Sequence, residues 1–315
     1  MSSRPAVSFV IPCYNSALMI EDVVARLIAT AKTRYDDQEI QIILVDDCSP
    51  DDTFCVLESL VDAHPNVTAL GLSKNFGQQA ALMAGLKESE GEIVVCLDDD
   101  GQTPPEEVFK LIDCIQDGSD LVYAKYEYKK HSLFRNFGSF VNEKMAESLI
   151  GKPKSITLSS FFAARRFLVL EALRYEGPFP YISGQLFRAT RNVANVKVSH
   201  DMRMSGASGY SIRKLISLWL NGFTAFSVKP LRVASVLGML IAAVGMIFAL
   251  AVVIRRLFEP EMAVGWASTI ALILFIGGLI LFVLGLMGEY IGRIYISMNK
   301  IPQYVVKHTR RNGKR

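Results

Sequence analysis

The sequence predicts an α/β fold, a parallel, doubly wound sheet followed by an interfacial helix and a two-helix transmembrane hairpin. Three observations predict it. Short apolar runs of strand character alternate with segments whose apolar residues recur at helical spacing. Clusters of acids terminate two of those runs, at Asp46-Asp47 and at Asp98-Asp99-Asp100. Two long stretches late in the chain carry no charge at all.

The 315 residues suit one large domain or two modest ones, with ample apolar content for a core. A formal net charge of +3 is too small to point to nucleic acid. The positive mean hydropathy comes largely from the last third. Five cysteines, Cys13, Cys48, Cys55, Cys96 and Cys114, form no CxxC pair and no zinc spacing. Their mostly apolar surroundings predict reduced core thiols in a cytosolic compartment. No basic segment followed by a long apolar run opens the chain, so no cleavable signal peptide is expected.

In order, Val7–Ile11 reads as a strand broken by Pro12. Asn15 or Ser16 is placed to cap a helix with Leu18, Ile20, Val23, Val24, Leu27 and Ile28 on its apolar face. Ile40–Val45 is a buried strand, followed by a helix with Val56, Leu57, Leu60 and Val61 on one face. Val67–Leu72 is a third strand, after which Lys74-Asn75-Phe76-Gly77-Gln78-Gln79 opens a helix. Ile93–Leu97 is the fourth strand and Leu121–Ala124 another. A basic stretch with Lys125, Lys129, Lys130, His131 and Arg135 leads into helical spacing from Phe137 to Ile150. That helix lies either on the protein surface or near lipid phosphate. Val193–Val198 reads as a strand, while 160–166 and the start of 182–198 carry no clear period.

A polar stretch from Arg203 to Ser211 precedes a helix from Ile212 to about Phe226, whose mixed aromatic and basic residues suit a membrane interface. Val233–Ile254 is uncharged over about 22 residues, enough to cross a ~30 Å hydrocarbon core. A second uncharged run extends from Met262 to Gly288. Glycines at 238, 245, 277, 278, 285 and 288 would permit close helix contact. Lys229 and Arg232 precede the first span, and a tail rich in Lys and Arg follows the second, so the positive-inside rule places both termini in the cytosol. The expected organisation is therefore a cytosolic α/β domain over 1–210, an interfacial helix and linker over 211–232, two spans over 233–290 and a basic tail over 291–315.

Ligands of open α/β sheets bind beyond the carboxyl ends of the strands. Asp46, Lys74 and Asp98 each follow a strand, so the topology gathers them at one edge. The triplet Asp98-Asp99-Asp100 reads either as hard oxygen ligands for Mg²⁺ or Mn²⁺ on a diphosphate, or as a solvated acidic turn before a helix. No GxGxxG follows a strand and no GxxxxGK[ST] occurs, which disfavours dinucleotide dehydrogenases and P-loop enzymes.

The stretches Phe9–Asn15, Leu44–Asp47 with Ser49 and Asp51, Leu72–Gly77 and Leu97–Asp100 resemble family 2 glycosyltransferases with a GT-A fold. Gly206, Ser208, Tyr210, Ser211, the paired spans and Gly288–Tyr295 resemble the membrane-anchored polyprenyl-phosphate glycosyltransferases, more distantly dolichol-phosphate mannose synthase. The resemblance implies inverting transfer of a sugar from a nucleotide donor, expected to be a uridine nucleotide, to polyprenyl phosphate at the cytosolic face of the cell membrane. It implies donor contacts from Pro12, Tyr14, Asn15, Asp46, Lys74, Asp98 and Asp99, and a metal at Asp98 and Asp100. Catalytic weight falls on Asp98, Asp100 and Arg203. Arg135, Arg203, Ser208 and Tyr210 are expected to meet the acceptor phosphate, arginine offering a planar fork. Membrane lipid is an expected partner, nucleic acid is not, and a homo-oligomer is left open.

Two departures from the pattern stand out. Related enzymes often carry an Asp, a proposed base, where this chain has Ser155-Ile156-Thr157-Leu158-Ser159-Ser160, and many have Lys where Gly209 stands. A phosphate monoester is already anionic near pH 7, so the acceptor needs little deprotonation. The alternatives are a processive polysaccharide synthase, which normally needs more spans and a QxxRW-like motif, and a catalytically silent membrane scaffold.

Overall fold

A computed structural model describes residues 4–101, 103–126, 152–177, 180–199, 265–299 and 301–312, with isolated helical positions between 234 and 254. The chain divides into two units, one of Met1–Tyr210 with Lys300–Arg315 and one of Ser211–Asn299.

The first unit is built in the order β1 (Val7–Cys13), α1 (Ile20–Ala31), β2 (Ile40–Asp46), α2 (Thr53–Ala63), β3 (Val67–Leu72), α3 (Gln78–Glu88) and β4 (Ile93–Cys96). A short 3₁₀ turn (Pro105–Glu107), α4 (Val108–Gln116) and β5 (Leu121–Tyr126) follow. Then come β6 (Phe162–Arg165), α5 (Arg166–Leu173), α6 (Ile182–Ala189), β7 (Val193–Val198) and, from the end of the chain, β8 (Val306–Arg311). The eight strands form one sheet in the order β7-β5-β6-β4-β1-β2-β3-β8. Its centre, β4-β1-β2-β3, is parallel as expected. The whole sheet is mixed, because β6 enters antiparallel to β4 and β5, and β8 antiparallel to β3.

Strand alternation divides the core between the two faces of the sheet. Phe9, Ile11, Ile42, Leu44 and Val95 pack with α1, α2 and α4 on one face. Val10, Ile43, Val45, Val94 and Cys96 pack with α3, α5 and α6 on the other. Burial on both faces is why these strands read as continuous apolar runs. Helix α3 lies so close to the sheet that a Cβ on Gly85 would come within 2.3 Å of Val10 Cγ1.

Several local expectations are corrected. Strand β1 does not break at Pro12, which stays in register with Val45. Val10 C=O accepts the bond from Leu97 N–H toward β4, and alternate residues share that side, so the N–H that Pro12 lacks falls beyond the end of β4 at Cys96. Neither Asn15 nor Ser16 caps α1 through its side chain; the helix starts at Ile20, and Ser16 serves it only through its carbonyl. Leu18 is 95% exposed rather than on the buried face. Cys13 and Cys96 are buried, but Cys48 and Cys55 are exposed, so only part of the thiol set belongs to the core.

In the second unit, α7 (Trp266–Met298) is a 33-residue helix that continues past the predicted end of the second uncharged run. Its window Phe275–Gly292 is long and apolar enough to cross a membrane, and none of that window is buried. The isolated positions between 234 and 254 are helical. No described atom lies within 4 Å of where a Cβ would stand on Gly238, Gly245, Gly277, Gly278, Gly285 or Gly288, and the residues that would pack against them from the other span lie largely outside the described residues. The predicted helices at 137–150 and 212–226 lie outside the described residues.

Candidate active site

Four loops leave the carboxyl ends of β1, β2, β3 and β4 at one edge of the sheet. Each turns on one left-handed residue: Asn15 (φ 57°), Cys48 (φ 55°), Gly77 (φ 92°) and Gly101 (φ 70°). Two of these are not glycine, and such backbone strain, of order 1–3 kcal/mol per residue, persists where surrounding contacts enforce it.

Those contacts tie the four loops to one another in a closed ring. Tyr14 N–H donates to Asp99 Oδ2 at 3.0 Å, and the Ser16 hydroxyl donates to the same oxygen. Asn15 N–H donates to Ser49 Oγ at 3.1 Å, and Ser16 N–H to Thr53 Oγ1 at 2.9 Å, joining the first loop to the second. Asp47 receives Phe76 N–H and Gly77 N–H, one on each carboxylate oxygen, both at 2.7 Å, joining the second to the third. Gln78 Nε2 donates to Asp98 Oδ1 at 2.8 Å and closes the ring to the fourth.

The structure thus places Asp46, Lys74 and Asp98 at one edge of the sheet, as the topology predicted, and the loops that carry them and β1 also hold Pro12, Tyr14, Asn15, Asp99 and Asp100. Asp46 is buried at the end of β2 and takes Ser49 N–H at 3.1 Å. Pro12 is buried, whereas Tyr14 is 49% exposed and Asn15 and Lys74 are exposed. Lys74 Nζ sits 4.9 Å from the centre of the Phe76 ring, a cation–π contact that restrains the ammonium group near the loop. Arg135, Arg203, Ser208 and Tyr210 lie outside the described residues.

The three consecutive acids differ in setting. Asp99 turns inward to hold the β1 loop. Asp98 is gripped by Gln78 and by the Ser160 hydroxyl, which donates to Oδ2. Burial raises the Asp98 carboxyl to about 6, with the Asp100 and Asp99 charges pushing the same way and the Ser160 and Gln78 hydrogen bonds opposing. Burial likewise raises Asp99 against the hydrogen bonds from Ser16 and Tyr14, and raises Asp47 against those from Phe76 and Gly77. The ion pairs Arg26–Glu106, Arg34–Asp113 and Arg310–Asp62 involve none of these acids. The edge therefore concentrates negative charge that suits a cation.

Among the described residues no three His, Cys, Asp or Glu side chains converge on a metal position. Two carboxylates are the usual protein share of a cation that a substrate diphosphate helps to hold, and Asp98 and Asp100 fit that donor set. Beside Asp98 opens a cavity of about 220 Å³, with Gln78, Gln79, Ser159, Ser160, Tyr181 and Ser183 among its lining residues. Its polar groups are uncharged, and two of them, Gln78 and Ser160, hold Asp98.

Sequence reasoning missed Asp47, Gln78 and Ser160 as site residues. Asp47 lay inside a quoted motif with no role of its own, and Gln78 opened a predicted helix. Ser160 stood where a carboxylate was sought and not found. A buried acid beside a Gly-containing loop is the signal that could have singled out Asp47.

The described residues thus combine a carboxylate-rich edge on a mixed α/β sheet with an apolar helix long enough to cross a membrane. The family model for glycosyl transferase family 2 matches residues 8–174, and the GtrB C-terminal hairpin matches residues 229–294. The chain belongs to glycosyl transferase family 2 and is a glycosyltransferase with a C-terminal hairpin. It is 30% identical over 310 residues to an uncharacterised glycosyltransferase, YkcC, of Bacillus subtilis, covering 98% of this chain and 95% of that one. It is 34% identical over 308 residues to the undecaprenyl-phosphate 4-deoxy-4-formamido-L-arabinose transferase of Proteus mirabilis, covering 96% and 93%. The fold is similar to that of glucosyl-3-phosphoglycerate synthase from Mycobacterium tuberculosis, solved with Mn²⁺, uridine diphosphate and phosphoglyceric acid (TM-score 0.50, 20% identity, 70% of this chain and 79% of that one).

Proposed function

We propose that the chain transfers a sugar from a nucleotide-sugar, a UDP-hexose or UDP-N-acetylhexosamine, to the phosphate of a polyprenyl phosphate at the cytosolic membrane face, with inversion. The observation that carries this reading is the ring of four strand-end loops around Asp98 and Asp100, in a chain alignable almost end to end with an undecaprenyl-phosphate sugar transferase.

In this reaction a phosphate oxygen of the acceptor attacks the anomeric carbon, and the bond from that carbon to the donor diphosphate breaks. Pro12, Tyr14 and Asn15 cradle the base through backbone carbonyls, Tyr14 N–H and Asn15 N–H being committed to Asp99 and Ser49, and Asp46, fixed by Ser49, accepts a hydrogen bond from it. Lys74 meets the base or the diphosphate. Asp98 and Asp100 hold the divalent cation. When bound, Mg²⁺ or Mn²⁺ supplies charge neutralisation for the departing nucleoside diphosphate. Asp99 acts through Tyr14 and Ser16 as a positioning residue. Arg203 and Arg135, with Ser208 and Tyr210, bind the acceptor phosphate, a role resting on motif position. The acceptor is already ionised, so no carboxylate base is needed at 155–162.

The hairpin keeps the chain in the bilayer where the isoprenoid resides, as a multi-pass cell-membrane protein with its catalytic domain and both termini cytosolic.

Calorimetric titration with UDP tests the metal and donor assignments. Binding is expected at least tenfold tighter with Mn²⁺ than with EDTA, and Asp100→Asn should lose that increment. Equal binding in all four conditions would remove the site as drawn.

A further inference from the structure

The chain returns from the second unit to complete the sheet of the first. Strand β8 lies antiparallel to β3, with Thr68 opposite Arg311, Gly71 opposite His308 and Leu72 opposite Val306. The register shifts at Gly71/Leu72, so Lys307 is an extra residue in a bulge. Just beyond the bulge, Ser73 N–H donates to the Val305 carbonyl at 2.9 Å. Ser73 is the first residue of the loop that carries Lys74 and Phe76 and ends on Asp47.

Side chains fasten the strand along its length. Arg310 Nη2 meets Asp62 Oδ1 at 2.8 Å, and Arg311 pairs with Glu88 at the end of α3. The His308 ring lies 5.5 Å from the Phe54 ring, over Gly71, where a Cβ would come within 2.9 Å of Phe54. Tyr304 packs against the core on the α3 face, and Gln303 Nε2 donates to the Tyr175 carbonyl at 2.5 Å.

We propose that β8 is a positioning element for the donor site. Val305, by holding Ser73, fixes one end of the loop Ser73–Gly77, while Asp47 fixes the other. The Arg311–Glu88 pair locks the strand in the register that brings Val305 into place. Lys74 then sits on a loop pinned at both ends, and one pin is supplied by residues that follow the membrane segment. The functional consequence rests on the reading that this loop meets the donor, whereas the pinning itself is measurable with no donor present.

The test compares the full chain in lipid nanodiscs with a chain ending at Pro302 and with Arg311→Ala and Arg311→Lys. Amide hydrogen exchange over residues 73–77 is expected to quicken at least tenfold in the truncated chain and several-fold in Arg311→Ala, with β1 and β2 unchanged. Arg311→Lys should stay within twofold of the parent. A synthetic peptide of residues 303–312 should restore protection to the truncated chain by strand addition. Donor KM should rise with the loop exchange while kcat falls less than threefold. Unchanged exchange at 73–77 would overturn the proposal. So would protection lost across the whole sheet and not restored by the peptide, which would make β8 merely part of the fold. Faster loop exchange with no nucleotide-sugar binding in any chain would keep the pinning and discard the donor reading instead.

Discussion

After Cys96 the chain places three carboxylates in sequence and gives each a different setting. Asp99 is spent on the β1 loop, through Tyr14 N–H and the Ser16 hydroxyl. Asp98 is held by Gln78 and Ser160 with its carboxyl raised to about 6. Because the folded state favours its neutral form, Asp98 supports stability below the unfolded pKa near 4 and withdraws that support as pH rises through about 6. Asp98→Asn is therefore expected to stabilise the sheet domain at pH 7.5 by up to about 2 kcal/mol, with the gain gone near pH 4, while activity falls at least 100-fold. Paired thermal melts and rate measurements check this, and a loss of stability at pH 7.5 would refute the burial argument. Asp47→Ala leaves Phe76 N–H and Gly77 N–H without their acceptors, each worth roughly 1–3 kcal/mol when buried. Its donor KM is expected to rise about tenfold, a loss of about 1.4 kcal/mol of binding. An unchanged KM would remove Asp47 as a loop anchor. The strand-end acids were legible in the sequence because they interrupt apolar runs. Ser160 was not, since a hydroxyl that grips a carboxylate has no spacing signature and arrives from a residue 62 positions away.

Among the elements, the parallel centre of the sheet was readable because strands buried on both faces must be apolar throughout. The antiparallel β6 and β8 were not. Phe162–Arg165 is only four residues long, and Val306–Arg311 reads as a basic tail. Its charges make sense on an edge strand, where Lys and Arg discourage pairing with another chain. The helix cap expected at Asn15 or Ser16 failed because the Ser16 hydroxyl is taken by Asp99, a demand of the site that overrides local preference. The loops themselves depend on left-handed residues. Gly77 has open space where a Cβ would stand, so Gly77→Ala tests the backbone alone. It should cost about 1–2 kcal/mol through the positive φ, measured by denaturant unfolding, and a neutral result would show that the loop can relax.

At the scale of the whole molecule, a sheet domain with a carboxylate edge is carried by a chain that also holds a long apolar helix, the combination expected of an enzyme whose acceptor stays in lipid. Orientation is testable with the thiols already present. Cys48 and Cys55 are exposed on the sheet domain. A membrane-impermeant maleimide should leave them unlabelled in intact cells and label them after permeabilisation; labelling in intact cells would reverse the topology. The transfer reaction itself can be measured directly. Full-length protein in lipid is incubated with radiolabelled nucleotide sugars, polyprenyl phosphate and Mg²⁺ or Mn²⁺, and the organic phase is counted. Metal-dependent label is expected in the organic phase from one uridine-linked donor, and its loss in Asp100→Asn. No organic-phase label from any donor, with the parent and Asp100→Asn indistinguishable, would contradict it.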